Sequence, residues 1–194
     1  KGFPAPNGYG FLNSRDDAGN LKKSWGEVVE SHIGRSETRI MQNGVFPADY
    51  VDRVRRFMPY FREYFSSVKA SAFFDDATTK NVLISDGRLS GIIDLDWICF
   101  GDRLYVIALT TMSLLAMHAD LDYVDYWKAL EKLSKEREAV LLFYILVFCI
   151  DFMSEKGMMF NKKTAANVAE EEILTLESVF EEYFGKLQLY TEQD

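Results

Sequence analysis

The chain has 194 residues, 48% of them hydrophobic and 14% aromatic, which furnishes a sizeable core and excludes a disordered segment. Its net charge of −8 argues against a general nucleic-acid binder, which carries a basic face, and is compatible with a cationic substrate. Cys99 and Cys149 sit in apolar surroundings, so reduced buried thiols and a cytoplasmic compartment are expected. No signal-like segment is evident. The longest apolar run, residues 139–150, is too short to span a bilayer, so no membrane association is expected.

Residues 1–20 read as loop, rich in Gly, Pro and turn-forming residues. Gly8-Tyr9-Gly10 lacks the spacing of a phosphate loop and reads as a linker that packs one tyrosine. Residues 21–43 carry Trp25, Val28, Val29, His32, Ile33 and Ile40 near helical spacing, with Asn20 as a plausible N-cap and Asn43-Gly44 as a stop. His32 falls on the apolar face and reads as a satisfied core histidine. A second helix is predicted over residues 48–65, with a kink or break at Pro59.

A short strand near residues 70–74 leads into polar sequence, residues 75–80. A β-hairpin follows, with Asp86-Gly87 as a two-residue turn between apolar, β-branched runs. An uninterrupted register from that turn sets Ser85 opposite Arg88 and Asn81 opposite Ile92. Asn81 and Asp94 then share one face as diagonal neighbours, roughly 7–8 Å apart. Two oxygen-bearing side chains so placed can converge on a hard cation such as Mg²⁺.

After the Gly101-Asp102 turn the chain reads as helices. Residues 104–117 are expected to be buried. Residues 123–133 are amphipathic, with Trp127 and Leu130 inward. Residues 135–156 hold the long apolar run, ended by Gly157. Residues 164–184 direct Val168, Ile173, Leu176, Val179 and Phe180 to the core, with Glu170, Glu171, Glu172, Glu181 and Glu182 as a wet face. The last ten residues read as frayed. The predicted class is α+β, mainly α-helical, with a short β-hairpin at the candidate site.

Asp76 stands five residues before Asn81, the D-x-x-x-x-N spacing of kinase catalytic loops. A base, an amide and a carboxylate within about twenty residues are the groups that phosphoryl transfer needs. On spacing alone the same residues equally suit a turn cap, a strand start and a strand end.

The stretch resembles the C-terminal lobe of aminoglycoside phosphotransferases and their choline-kinase-like relatives. That family's pattern is roughly H-G-D-x-x-x-x-N-[VIL]-[LI], a D-G-R hairpin, then G-[VI]-I-D. Here it is matched by Asp76 through Leu83, by Asp86-Gly87-Arg88 and by Gly91-Ile92-Ile93-Asp94, with Gly101-Asp102 as the following turn. The resemblance implies a kinase-like C-terminal lobe over residues 21–190, with residues 1–20 as the linker from a nucleotide-binding lobe outside this sequence. It implies Asp76 as catalytic base, Asn81 and Asp94 as Mg²⁺ ligands, and Asp96 as an assisting metal or substrate group. Lys80 is a candidate phosphate contact. The nucleotide would be ATP or GTP, and the acceptor a hydroxyl on a small polar, cationic compound of aminoglycoside or choline type.

Three departures stand out. The family's His is Phe74, its Gly before the base is Asp75, and the usual Pro after the turn is Arg103. Asp75 and Asp76 are adjacent carboxylates; on extended backbone they point apart, and the spacing to Asn81 selects Asp76. The residues before the motif read as loop and helices, not as a strand-rich nucleotide lobe, so the 194 residues alone are expected to be inactive. A non-catalytic kinase-like module that binds a ligand or protein is the alternative. A metal-dependent hydrolase built on Asp94-Leu95-Asp96 is disfavoured, because no nucleophile loop of the expected kind follows.

Overall fold

The computed structural model describes residues 7–13, 21–74, 81–93, 97–158 and 168–192. The centre of the molecule is the helix Lys135–Glu155 (α6), which contains the longest apolar run. A helix that is hydrophobic all round has to be buried on every side, and residues 139–150 are buried with the sole partial exception of Leu142. Three helices cover it: Trp25–Asn43 (α1), Leu104–Ala116 (α4) and Glu170–Thr191 (α7). Shorter helices Asp49–Arg55 (α2), Arg62–Ser67 (α3) and Asp122–Glu131 (α5) close the flanks.

Helix boundaries follow local chemistry. α1 begins at Trp25 because Ser24, not Asn20, caps it: the Glu27 amide donates to Ser24 Oγ at 3.3 Å. The preceding Lys22 is committed to a backbone bridge with Tyr9. Gly44 ends α1 in the left-handed region, as the sequence predicts (φ 64°). The expected break at Pro59 separates α2 from α3. Arg53 of α2 forms a two-pronged pair with Glu181 of α7 at 2.5 and 2.6 Å and lies over the Phe180 and Phe184 rings.

Three expectations are corrected here. Gly10–Asn13, read as loop, is a strand (β1), because a partner far along the chain satisfies its backbone. Leu130 faces solvent, and Val124 is the buried anchor of α5. α7 runs on to Thr191 and buries Leu187, where fraying was expected.

The strands form two separate sheets. β1, Ser71–Phe73 (β2) and Trp97–Gly101 (β5) make an antiparallel sheet of order β1-β5-β2, in which Cys99 lies between Phe11 and Phe73. Val82–Ser85 (β3) and Arg88–Ile92 (β4) form the hairpin. Both cysteines are buried free thiols, as expected. Among the described residues no helix is long and apolar enough to cross a membrane.

His32 is buried in the core as expected, but it is satisfied at one ring nitrogen only, its Nε2 making no hydrogen bond among the described residues. Its Nδ1 contacts the Tyr105 hydroxyl and its Nε2 lies 3.1 Å from Asp151 Oδ2. Asp151 Oδ1 also accepts from Arg35 at 3.1 Å and Ser36 at 3.3 Å. Burial works to raise the Asp151 carboxyl, but His32 and Arg35 together outweigh it and hold the group well below the usual carboxylate range.

Candidate active site

The hairpin is built as its turn residues demand. Asp86 and Gly87 both have positive φ, 52° and 72°, the type I′ geometry that matches the twist of the flanking strands. Ser85 faces Arg88, as predicted. Further from the turn the register departs from the simple count. Ile84 faces Leu89, but Leu83 faces Gly91 and Val82 faces Ile92. Ser90 is the extra residue of a β-bulge, and its hydroxyl donates to the Leu83 carbonyl at 3.1 Å.

Asn81 therefore lies beside Ile93, whose amide donates to the Asn81 carbonyl at 2.8 Å. It does not lie opposite Ile92. The bulge removes the register basis for setting Asn81 and Asp94 on one face, since a one-residue slip exchanges faces. Asn81 is nonetheless distinctive. Its exposure is 9%, at the foot of a hairpin whose Leu83, Ile84, Leu89 and Ile93 are all exposed. Phe74, the residue after β2, is half-buried. Asp76, Lys80, Asp94 and Asp96 lie outside the described residues. Among the described residues no group of three or more His, Cys, Asp or Glu is placed to hold a metal ion.

β2 and β5 lead into and out of the stretch that carries the motif, and a buried polar network ties their ends together. Asp102, 8% exposed, follows β5 directly. Its Oδ1 accepts from the Leu104 amide at 3.0 Å and so caps the start of α4. Its Oδ2 accepts from the Tyr64 hydroxyl of α3 at 2.7 Å and from the Tyr144 hydroxyl of α6 at 3.1 Å. Tyr144 in turn accepts from Trp25 Nε1 of α1 at 2.7 Å. Burial first, and then the Asp102 charge, push both tyrosine hydroxyls well above their ordinary range, so they stay protonated and donate.

One carboxylate thus joins the end of β5 to α1, α3 and α6, and α3 leads into β2. Residue patterns marked Trp25 and the Gly101-Asp102 turn but missed Tyr64 and Tyr144. A lone tyrosine inside the apolar run of α6 was a usable signal, because a buried tyrosine hydroxyl needs a partner. Asp102→Ala is expected to cost about 2–4 kcal/mol in urea denaturation, since it strands two buried hydroxyls and removes a cap. Asp102→Asn keeps an acceptor and is expected to cost at most half of that. Equal losses for both variants would show that the acceptor oxygen is not what matters.

A mainly helical α+β architecture with this small antiparallel sheet and hairpin is the fold of a kinase-like C-terminal lobe. It is found in the crystal structure of a thermostable mutant of aminoglycoside phosphotransferase APH(4)-Ia, a ternary complex with AMP-PNP and hygromycin B. The likeness has a TM-score of 0.53 at 15% identity, and covers 95% of this chain and 57% of that one. This chain therefore spans less than two thirds of the length of that phosphotransferase. No family model matches the sequence, and no curated protein matches it.

Proposed function

We propose that this chain is the C-terminal lobe of a small-molecule kinase. It would transfer the γ-phosphate of ATP or GTP to a hydroxyl of a small polar, cationic acceptor of aminoglycoside or choline type. The observation that carries the reading is the hairpin begun by buried Asn81, five residues after Asp76, within a kinase-like fold. The exposed apolar side chains Leu83, Ile84, Leu89 and Ile93 support it, because they offer a surface that a nucleotide and a second lobe can cover.

Asp76 accepts the proton of the acceptor hydroxyl and orients that oxygen toward the phosphorus. The amide oxygen of Asn81 and the carboxylates of Asp94 and Asp96 are hard oxygen donors of the kind Mg²⁺ takes. An ion held by these groups would supply charge neutralisation on the nucleotide phosphates. Lys80 is a candidate contact to phosphate, and Asp102 fixes the strands on either side of the loop. Two adjacent carboxylates, Asp75 and Asp76, and the net charge of −8 suit a cationic acceptor drawn from a reducing cytoplasm.

The test is nucleotide turnover with Mg²⁺ across a panel of amino sugars and amino alcohols, using the protein with its native upstream region. Acceptor-dependent turnover is expected there, and none from the 194 residues alone. The described residues before the motif contain two short strands, β1 and β2, not a strand-rich nucleotide lobe. Robust transfer by the 194 residues alone would overturn the two-lobe requirement. Phe74 in the family's His position favours the second reading, a non-catalytic kinase-like binding module; absence of turnover across the panel would select it.

A further inference from the structure

A cavity of about 450 Å³ opens between β1, α1, α4 and α6, and none of its described lining residues belongs to the phosphotransfer motif. We infer that it binds a small aromatic carboxylate, independently of the phosphotransfer reading. Its walls are apolar and aromatic: Phe11 from β1, Leu109 from α4 and Phe148 from α6. Its polar lining includes Lys22, Arg35 and the neighbouring His32 and Asp151. A mostly apolar cleft of this size with a few convergent polar groups is the usual form of a small-molecule site, and it holds a one- or two-ring ligand.

The charges choose the sign of that ligand. Asp151 is the one carboxylate among the described lining residues; Oδ1 already accepts from Arg35 and Ser36, with His32 Nε2 3.1 Å from Oδ2 and Arg39 3.8 Å from Oδ1. His32 Nδ1 is committed to Tyr105, and its Nε2 faces Asp151 Oδ2 at 3.1 Å, a contact without hydrogen-bond geometry. Asp151 cannot serve a ligand without breaking its bonds to Arg35 and Ser36, and His32 Nε2 is turned to that carboxylate. The remaining capacity is cationic. Arg35 is half-exposed and uses only Nη2, so Nε and Nη1 make no hydrogen bond among the described residues. Lys22 is exposed at the mouth, and its ammonium makes no ion pair among the described residues. Two cations with spare donors beside aromatic walls accept a carboxylate carried on a ring, and they repel the cationic acceptor proposed for phosphoryl transfer.

The test is calorimetric titration of the protein with 2-naphthoate, its neutral carboxamide and 2-naphthylmethylammonium, with no nucleotide present. Expected is saturable one-to-one binding of the carboxylate with a Kd of about 1 mM or tighter. The carboxamide should bind about fivefold more weakly or worse, and the ammonium compound more weakly still. Lys22→Gln and Arg35→Gln should each weaken the carboxylate by about fivefold or more, and Leu109→Trp should abolish binding by filling the cavity. Arg35 also braces Asp151, so Lys22→Gln, on an exposed side chain, is the decisive variant if Arg35→Gln does not fold. No saturable binding, equal binding of the carboxamide, or no response to both Lys22→Gln and Leu109→Trp would each overturn the assignment.

Discussion

Under the proposed function, Asp76→Asn in the full-length protein is expected to lower acceptor-dependent phosphoryl transfer by about 10²- to 10⁴-fold, the usual contribution of a positioned general base. The change replaces a proton acceptor by a group of nearly the same shape, so substrate binding and thermal stability should be little affected. The adjacent Asp75 supplies the internal control. Asp75→Asn is expected to reduce the rate by less than about tenfold, because the D-x-x-x-x-N spacing to Asn81 selects Asp76 as the base. Single-turnover kinetics of both variants would decide the assignment. A larger loss from Asp75→Asn than from Asp76→Asn would move the base to Asp75, and no loss from either would sink the kinase reading.

Gly101→Ala is expected to be among the most damaging single substitutions in the chain, although it adds one methyl group. Gly101 ends β5 directly against the ring of Trp25, and a Cβ there would overlap that ring. The ring cannot swing away. It is fully buried, its Nε1 donates to Tyr144, and it meets the Tyr105 and Tyr144 rings edge-on at 5.1 and 6.4 Å. Overpacking together with loss of that hydrogen bond should cost about 3–5 kcal/mol in urea denaturation. Gly44→Ala separates crowding from backbone strain. A Cβ at Gly44 meets no atom of the described residues within 4 Å, so there only its positive φ opposes the change, at about 1 kcal/mol. Equal losses at the two positions would refute the close-packing account.

Part of the fold was legible in the residues because the signals there are local. Asp86-Gly87 specified a type I′ turn, Gly44 a left-handed helix end and Pro59 a break, each through backbone geometry confined to a few residues. The apolar run of α6 could only be a buried helix. The errors arose where a distant partner decides. Gly10–Asn13 became a strand because β5 lies beside it. Leu130 turned outward because the packing of α5 buries Val124 instead. The end of α7 stays ordered because Leu187 has a core to enter. The bulge at Ser90 moved Asn81 away from Ile92, a one-residue change that an alternating count cannot register.

The candidate site divides along the same line. The sequence by itself determined the chemical inventory: the D-x-x-x-x-N spacing from Asp76 to Asn81, the hairpin turn, and the Gly101-Asp102 turn, all set within a few residues of one another. Only the tertiary structure decided that Asn81 is buried at the foot of an exposed hairpin. It alone joined Asp102 to Tyr64, Tyr144 and Trp25, and aligned Arg35 and Lys22 with Phe11 and Phe148 around one cavity. The physical reason is range. Turn and cap preferences are satisfied by neighbours along the chain, whereas a buried carboxylate is stable only where donors from several elements converge on it. That convergence here depends on α1, α3 and α6 packing around the end of β5.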